Sequence, residues 1–153
     1  MIRIMFVCHG NICRSPMAEF VLKDLVKKNG ISDLFYIESA ATSFEEIGNP
    51  VHPGTRRKLS EVGISVKGKL AQKLIASDYQ KFDYFAGMDG YNIRNMNRLF
   101  GGDPEGKVVK LLQFAGDDSD IADPWYTGNF DVTYDDVLRG CQGIIKMFKE
   151  DKL

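Results

Sequence analysis

The chain has 153 residues, 44% of them apolar and 27% charged, which indicates one globular domain spanning residues 1–153. Its 20 Lys and Arg residues balance 21 Asp and Glu residues, so we expect no nucleic-acid partner. No stretch reaches the roughly 18 apolar residues of a membrane span, and the N-terminus lacks signal-peptide features. We therefore expect no membrane partner and a cytoplasmic location, and three cysteines, too few for a disulfide scaffold, fit that compartment.

Strand and helix signals alternate along the chain. Residues 2–7 (IRIMFV) are mostly apolar, which is typical of a strand buried on both faces. Residues 16–28 then follow a helical period, with Ser15 as the expected N-cap and Pro16 as the first helical residue. The same reasoning predicts strands at 34–39, 82–87 and 107–112, helices at 53–62, 90–99 and 131–149, and a long loop at 113–130.

This alternation predicts an α/β fold in which helices cover both faces of a parallel sheet. Ligands of such sheets bind beyond the carboxyl ends of the strands. Residues 8–14 lie at the end of the first predicted strand and just before a predicted helix. We therefore expect a ligand at this loop.

The composition of this loop favours an anion. The first N–H groups of a helix lack intrahelical partners and carry partial positive charge. Gly10 allows backbone amides to approach a ligand, Asn11 tolerates a left-handed conformation, and Arg14 offers a planar fork for two phosphate oxygens. The predicted phosphate-binding loop comprises His9, Gly10, Asn11, Ile12, Cys13, Arg14 and Ser15.

Cys8 lies at the start of this loop. A positive environment lowers a thiol pKa from ~8.5 towards ~3.5–7.5, and a thiolate beneath a bound phosphoryl group is placed for in-line attack. The alternative is a plain turn with buried, inert thiols, because free cysteine is often buried. The order of strand, Cys, Gly-Asn, Arg and Ser-Pro favours a catalytic anion site.

The stretch V-C-H-G-N-I-C-R-S-P-M-A-E, residues 7–19, resembles the signature of low-molecular-weight protein tyrosine phosphatases. The resemblance extends over essentially the whole chain. Further similar motifs are S-A-A-T-S at 39–43, E-I-G-N-P at 46–50, F-D-Y at 82–84, M-D-x-x-N-I-R at 88–94 and A-D-P-W at 122–125.

The resemblance implies a four-stranded parallel sheet and hydrolysis of phosphate monoesters, chiefly phosphotyrosine on proteins, through a cysteinyl-phosphate. It assigns Cys8 as nucleophile, Arg14 to the phosphate, and Asp123 as general acid and then base. It implies no cofactor, inorganic phosphate as product, and phosphotyrosine-containing proteins as partners. We expect a monomer, and no His/Cys/Asp cluster has the spacing of a metal site.

Other roles also follow from the resemblance. Asn11, Ser15 and Ser39 would support the loop, while Trp125 and Tyr126 would flank the substrate ring. Ile12 stands at a position where related protein-arginine phosphatases resemble one another in having Thr. Its apolar side chain therefore favours phosphotyrosine over phosphoarginine as substrate.

Cys8 and Cys13 suggest redox control, because oxidised Cys8 placed near a second thiol in one tight loop can form a reversible disulfide. Cys13 is thus the predicted redox partner.

Three positions depart from the pattern or stay ambiguous. Lys69 stands where many relatives have a loop-supporting His, which predicts weaker or different support. His9 is expected to be an exposed loop residue, with electrostatic tuning of Cys8 as the alternative, and His52 is expected at the surface.

Two other functions share this loop. An arsenate reductase needs further cysteines downstream, and none lies between Cys13 and Cys141. The other alternative is a non-catalytic phosphate-binding module or a sugar-transport phosphocarrier whose cysteine holds the phosphoryl group. A carrier should lack the acid of the A-D-P-W motif, because it must not hydrolyse its intermediate.

Overall fold

The computed structural model describes all 153 residues. It contains four strands, five α-helices and three short 3-10 turns. The strands are β1 (Ile2–Cys8), β2 (Phe35–Ala41), β3 (Tyr84–Gly87) and β4 (Val108–Lys110), and the helices are α1 (Arg14–Lys28), α2 (Pro53–Glu61), α3 (Gly90–Phe100), α4 (Pro124–Thr127) and α5 (Phe130–Lys149).

The four strands form one sheet in the order β2-β1-β3-β4, and every pairing is parallel. β1 lies inside the sheet and pairs with β2 along its whole length, from Ile2 opposite Phe35 to Cys8 opposite Ala41. The carboxyl ends of β1 and β2 therefore meet at the same edge. The predicted α/β fold with a four-stranded parallel sheet is confirmed.

Alternate residues of β1 enter two separate cores, as the two-residue period of a strand requires. Ile4 and Phe6 belong to the larger core, which α1 and α5 cover, and Met5 and Val7 belong to the smaller core under α3. Helices thus cover both faces, which explains why the β1 sequence is apolar without alternation.

The observed boundaries are close to the predicted ones, except in β4. This strand has only three residues because the chain turns into a 3-10 segment at Leu111–Ala115. That segment packs against glycines of α5: a Cβ added to Gly143 would lie 2.3 Å from the carbonyl oxygen of Phe114. The predicted strand at 107–112 is therefore too long.

Two local predictions are wrong. Ser15 is not the N-cap of the first helix, because α1 begins at Arg14 with Cys13 at the cap, and Pro16 is accommodated within the first turn. The segment 113–130 is not a continuous loop, because Asp123 caps the short helix α4 within it. No helix in the structure has the length and apolar character that crossing a bilayer requires.

Candidate active site

The loop between β1 and α1 curls around the sulfur of Cys8. Asn11 has a φ of 58°, the left-handed conformation predicted for it, and its backbone N–H points at Cys8 Sγ over 3.3 Å. Ser15 Oγ lies 2.9 Å from the same sulfur, and the Cys8 side chain is buried. The Asn11 N–H and the Ser15 hydroxyl group thus both lie within hydrogen-bonding distance of the sulfur where β1 ends, and both can donate to a thiolate there.

The other two cysteines, Cys13 and Cys141, have strongly raised thiol pKa values. Burial raises the pKa of Cys13 to about 12, with the nearby charges of Cys8 and Asp123 adding to the effect. Burial also raises the pKa of Cys141, which lies in the core against α1. Both groups are neutral thiols near pH 7.

A network of hydrogen bonds centred on the Asn11 side chain supports the loop. Asn11 Nδ2 donates to Ser15 Oγ at 2.8 Å and to Ser39 Oγ at 2.9 Å. The backbone N–H of Gln72 donates to Asn11 Oδ1 at 3.0 Å. The three residues predicted to support the loop are therefore in direct contact.

Arg14 is buried and fixed by three oxygen atoms. Nη1 donates to Asp89 Oδ2 at 2.7 Å and to the Ile121 carbonyl at 2.9 Å, and Nη2 lies 3.5 Å from Asp123 Oδ2. Burial alone would lower the guanidinium pKa, but the charge of Cys8 and the bond to Asp89 outweigh it, and the pKa is raised.

Asp123 is held at the other side of the cleft by α4. Its Oδ1 accepts from the backbone N–H of Trp125 at 3.0 Å, as an N-cap side chain does. The carboxylate remains partly exposed, with 25% of its side-chain surface accessible. Residues from three distant segments therefore meet in one cleft of about 110 Å³. The residues that line this cleft are Cys8, His9, Gly10, Ile12, Cys13, Arg14, Glu45, Glu46, Asp123, Trp125 and Tyr126.

Comparison with known sequences gives the same assignment. The model of the family described as low molecular weight phosphotyrosine protein phosphatase matches residues 3–153. The chain belongs to this family. The predicted family is thus confirmed, and with it the enzyme class, a protein-tyrosine-phosphatase.

Relatives match over nearly their full lengths. The low molecular weight protein-tyrosine-phosphatase YfkJ of Bacillus subtilis is 38% identical over 154 residues, which is 99% of both chains. PtpA of Staphylococcus aureus is 37% identical over 152 residues, covering 99% of this chain and 96% of its own. The crystal structure of YfkJ superposes with a TM-score of 0.95 at 37% identity, covering 100% of this chain and 98% of its own. A Drosophila arginine phosphatase, DARP, superposes with a TM-score of 0.89 at 28% identity, covering 98% and 99%.

Aromatic side chains form one wall of the phosphatase cleft. Trp125 and Tyr126 are 57% and 83% exposed, so both rings are accessible to a ligand. His52 supports this wall: its ring lies 5.6 Å from that of Trp125 and stacks on Phe130 at 5.3 Å. His52, predicted only to lie at the surface, is half-buried and also caps α2.

Part of the rim of the phosphatase cleft is acidic, a feature that the sequence analysis missed. Glu45 and Glu46 both line it, and His9 Nε2 lies 3.0 Å from Glu45 Oε2. His9 is exposed, as predicted, but it pairs with this rim. The only sequence signal was that Glu46 begins the E-I-G-N-P motif at 46–50, directly after Glu45.

Lys69 takes part in loop support differently from a histidine. Its Nζ donates to the Ser39 carbonyl at 3.0 Å and lies 3.4 Å from Glu19 Oε1. Lys69 makes no direct hydrogen bond to Asn11. The side-chain oxygen of Asn11, Oδ1, accepts from the backbone N–H of Gln72 instead. No group of three His, Cys, Asp or Glu side chains in the phosphatase is arranged to hold a metal ion.

Proposed function

We propose that this phosphatase hydrolyses phosphotyrosine on proteins with Cys8 as nucleophile, Arg14 as phosphate ligand and Asp123 as general acid and base. The convergence of Cys8 Sγ, the Arg14 fork and the Asp123 carboxylate in one cleft supports this assignment. These groups supply what the reaction needs: a thiolate, positive charge on the phosphoryl oxygens, and a proton for the leaving oxygen.

The first half of the reaction transfers the phosphoryl group to sulfur. The Cys8 thiolate attacks phosphorus, the bond from phosphorus to the tyrosyl oxygen breaks, and protonated Asp123 gives its proton to that oxygen. The loop N–H groups and Arg14 bind the three phosphoryl oxygens as charge shifts onto them. Tyrosine leaves with a neutral hydroxyl group, and a cysteinyl-phosphate remains.

The second half regenerates the enzyme. The Asp123 carboxylate takes a proton from water while the water oxygen attacks phosphorus. The phosphorus–sulfur bond breaks, and its electron pair returns to Cys8 as a thiolate. Ser15, 2.9 Å from the sulfur, donates to that thiolate, which makes it a better leaving group. Inorganic phosphate is the product.

The cleft also supports an aromatic substrate. The Ile12 side chain in the loop is apolar, and Trp125 offers an exposed ring on the wall. A neutral phenyl ring packs against such groups, whereas a guanidinium needs polar partners. We therefore propose phosphotyrosine over phosphoarginine.

One comparison tests both parts of the proposal. We would measure kcat/KM for one peptide carrying either phosphotyrosine or phosphoarginine, with the wild type, Cys8→Ser and Asp123→Ala. We expect preference for phosphotyrosine, no turnover by Cys8→Ser, and a fall of about 10²- to 10⁴-fold for Asp123→Ala. Asp118→Ala, which removes an exposed acid of the same segment, is the matched control. Turnover by Cys8→Ser, or preference for phosphoarginine, would contradict the proposal.

We further propose that residues 1–153 act as a single-domain cytoplasmic monomer. All three cysteines are free and buried, which fits a reducing compartment. Light scattering coupled to gel filtration would test the monomer, and a mass near 34 kDa, about twice the 17.2 kDa of the chain, would contradict it.

A further inference from the structure

A second depression, separate from the catalytic cleft, lies beside α2. Its volume is about 600 Å³, and it is lined by residues of α2 and of the segments 50–51 and 63–70. Part of its surface is apolar: Val51 and Val66 are buried, Ile64 is half-buried and Leu70 is 55% exposed. This α2 groove contains no residue that takes part in the reaction described above.

All charged side chains that line the α2 groove are cations. They are Arg56, Lys67 and Lys69, and no Asp or Glu is among the lining residues. Lys69 is paired with Glu19 at 3.4 Å. Arg56 and Lys67 are exposed, and neither side chain makes an ion pair or a hydrogen bond within the protein. Because the whole chain carries a net charge of -1, this excess of positive charge is a local property of the groove.

The combination of free cations and apolar surface favours one kind of ligand. A single exposed lysine or arginine is ordinary and needs no partner. A concave apolar surface with two free cations and no acid, in contrast, complements a peptide segment that carries carboxylates next to an apolar side chain. A basic segment would be repelled, and an uncharged one would leave both cations unpaired.

The α2 groove lies within a few residues of the catalytic cleft. Glu46 lines the cleft and Pro50 lines the groove, and four residues of extended chain span at most about 14 Å between their Cα atoms. Residues 47–50 are all exposed, so the surface between the two depressions is open to a ligand. A substrate peptide in extended conformation covers this distance in about four residues.

We propose that the α2 groove is a docking site for an acidic segment of the substrate protein, about four to six residues away from the phosphotyrosine; this inference rests on the proposed function. Carboxylates of the segment pair with Arg56 and Lys67, and an apolar side chain between them packs on Ile64 and Leu70. Docking adds affinity without touching the reacting atoms, so it lowers KM for protein substrates and leaves small aryl phosphates unaffected.

The order of charges along the substrate distinguishes this docking from the effect of the cleft rim. The rim carries Glu45 and Glu46, which attract basic residues next to the phosphotyrosine. The α2 groove attracts acidic residues farther along the same peptide. A uniform attraction between the protein and a charged peptide cannot produce both preferences.

The test uses phosphotyrosine peptides that differ only in a segment about four to six residues before or after the phosphotyrosine, a spacing set by the reach of an extended chain. The segment is Asp-Leu-Glu, Ser-Leu-Ser or Lys-Leu-Lys. In one of the two placements, the acidic segment should give a kcat/KM about 3- to 10-fold above that of the neutral segment, mostly through KM, and the basic segment should give the lowest value.

Two double variants show whether the groove causes this preference. Arg56→Gln with Lys67→Gln should abolish it. Arg3→Gln with Lys81→Gln should retain it, because this control also removes one exposed arginine and one exposed lysine that lack ion pairs. Both variants should hydrolyse p-nitrophenyl phosphate like the wild type.

A single variant inside the groove gives a further check. Ser60 is an exposed lining residue one helical turn after Arg56. Ser60→Glu places a carboxylate in the groove and should abolish the acidic preference without affecting p-nitrophenyl phosphate.

Four results would overturn the inference. They are equal kcat/KM for all three segments in both placements, an acidic preference that survives in the Arg56 and Lys67 variant, its loss in the Arg3 and Lys81 control, and an equal fall for p-nitrophenyl phosphate, which would locate the effect in the cleft. The groove would instead bind a second copy of the chain if the wild type has about twice the 17.2 kDa mass of one chain and the Arg56 and Lys67 variant does not, and this would also overturn it.

A binding measurement separates this inference from the proposed function. The unphosphorylated Asp-Leu-Glu peptide is titrated into the ¹⁵N-labelled wild type and followed by NMR. It should shift the backbone amide signals of Arg56 and Lys67, and the Lys-Leu-Lys peptide should not. Absence of shifts would overturn the docking site, whereas failure to hydrolyse any phosphotyrosine peptide would contradict the proposed function alone.

Discussion

Arg14 Nη1 donates to Asp89 Oδ2 over 2.7 Å, while the second oxygen of Asp89 accepts from the Asn92 N–H and caps α3. One carboxylate therefore orients the arginine fork and caps the N-terminus of a helix on the opposite face of the sheet. The two residues lie 75 positions apart in the sequence.

Asp89→Asn should separate these two roles. Asparagine also caps helices, so stability should change little, but the charge-assisted bond to Arg14 is lost. Such bonds contribute about 1.5–3 kcal/mol, so kcat/KM should fall roughly 10- to 100-fold. Steady-state kinetics and urea unfolding measure both effects. Wild-type kcat/KM in Asp89→Asn would show that Asp89 does not orient the fork.

Trp125→Ala should weaken binding of the substrate ring. Aromatic pairs contribute about 0.5–1.5 kcal/mol beyond buried area, so KM for a phosphotyrosine peptide should rise roughly 2- to 10-fold, with kcat less affected. His52→Ala should act in the same direction and more weakly, because His52 only supports Trp125 through a T-shaped ring contact at 5.6 Å. Tyr91→Ala, an exposed aromatic on α3, serves as control. A larger loss in kcat than in KM would assign Trp125 to the chemical step instead.

The acidic rim should favour basic residues next to phosphotyrosine. Glu45 and Glu46 line the cleft, and its only arginine is buried and paired. Exposed ion pairs contribute about 0.2–1 kcal/mol, so a peptide with flanking Lys should have a roughly 2- to 5-fold higher kcat/KM than one with flanking Glu. Added salt and the Glu46→Gln variant should both reduce this ratio. Glu105 is an exposed acid in the turn before β4, so Glu105→Gln should leave this ratio unchanged.

Mild peroxide should link Cys8 to Cys13. Peroxide converts the Cys8 thiolate to a sulfenic acid, and attack by the Cys13 sulfur then forms a disulfide and releases water. Loss of the Cys8 charge removes one of the causes that raise the pKa of Cys13, so the second thiol becomes more reactive. Mass spectrometry should find the disulfide in the wild type, a sulfinic acid at Cys8 in Cys13→Ser, and an untouched Cys141. A sulfinic acid at Cys8 of the wild type, without a disulfide, would refute the redox role.

Asp103 should stabilise the fold without affecting catalysis. It accepts from Tyr79 Oη at 2.6 Å and from the N–H groups of Lys107 and Val108 at 2.8 and 3.0 Å. Burial raises its pKa, but these hydrogen bonds outweigh burial and leave the pKa lowered. A lowered carboxyl pKa adds stability above the unfolded value, near 3.9, and this contribution disappears as pH falls through the folded value.

Asp103→Ala should therefore lower the free energy of unfolding by about 2–3 kcal/mol at pH 7 and by less at pH 3. Urea unfolding at the two pH values gives the difference. Equal losses at both values would mean that the charge of Asp103 contributes nothing, and kcat/KM should stay at the wild-type value throughout.

The sequence by itself determined the sheet class and the phosphate loop, because both depend on local patterns. An apolar run, a Gly-Asn pair and a helical period within residues 2–28 are sufficient to place a loop with free N–H groups at a strand end. Its errors are also local. Ser15 was predicted as an N-cap because hydroxyl groups favour that position, but its hydroxyl contacts Cys8 instead.

Only the tertiary structure decided which distant side chains meet at that loop. Arg14 and Asp123 are 109 positions apart, and Asn11 and Gln72 are 61 apart. His52 and Glu45 have no periodicity or motif of their own that indicates a role, and the sequence did not show that Lys69 pairs with Glu19. Their contacts arise because parallel strands end at one edge of the sheet and carry the following loops to the same place. The sequence specifies which residues are present, but the order of the strands in the sheet determines which distant side chains come into contact.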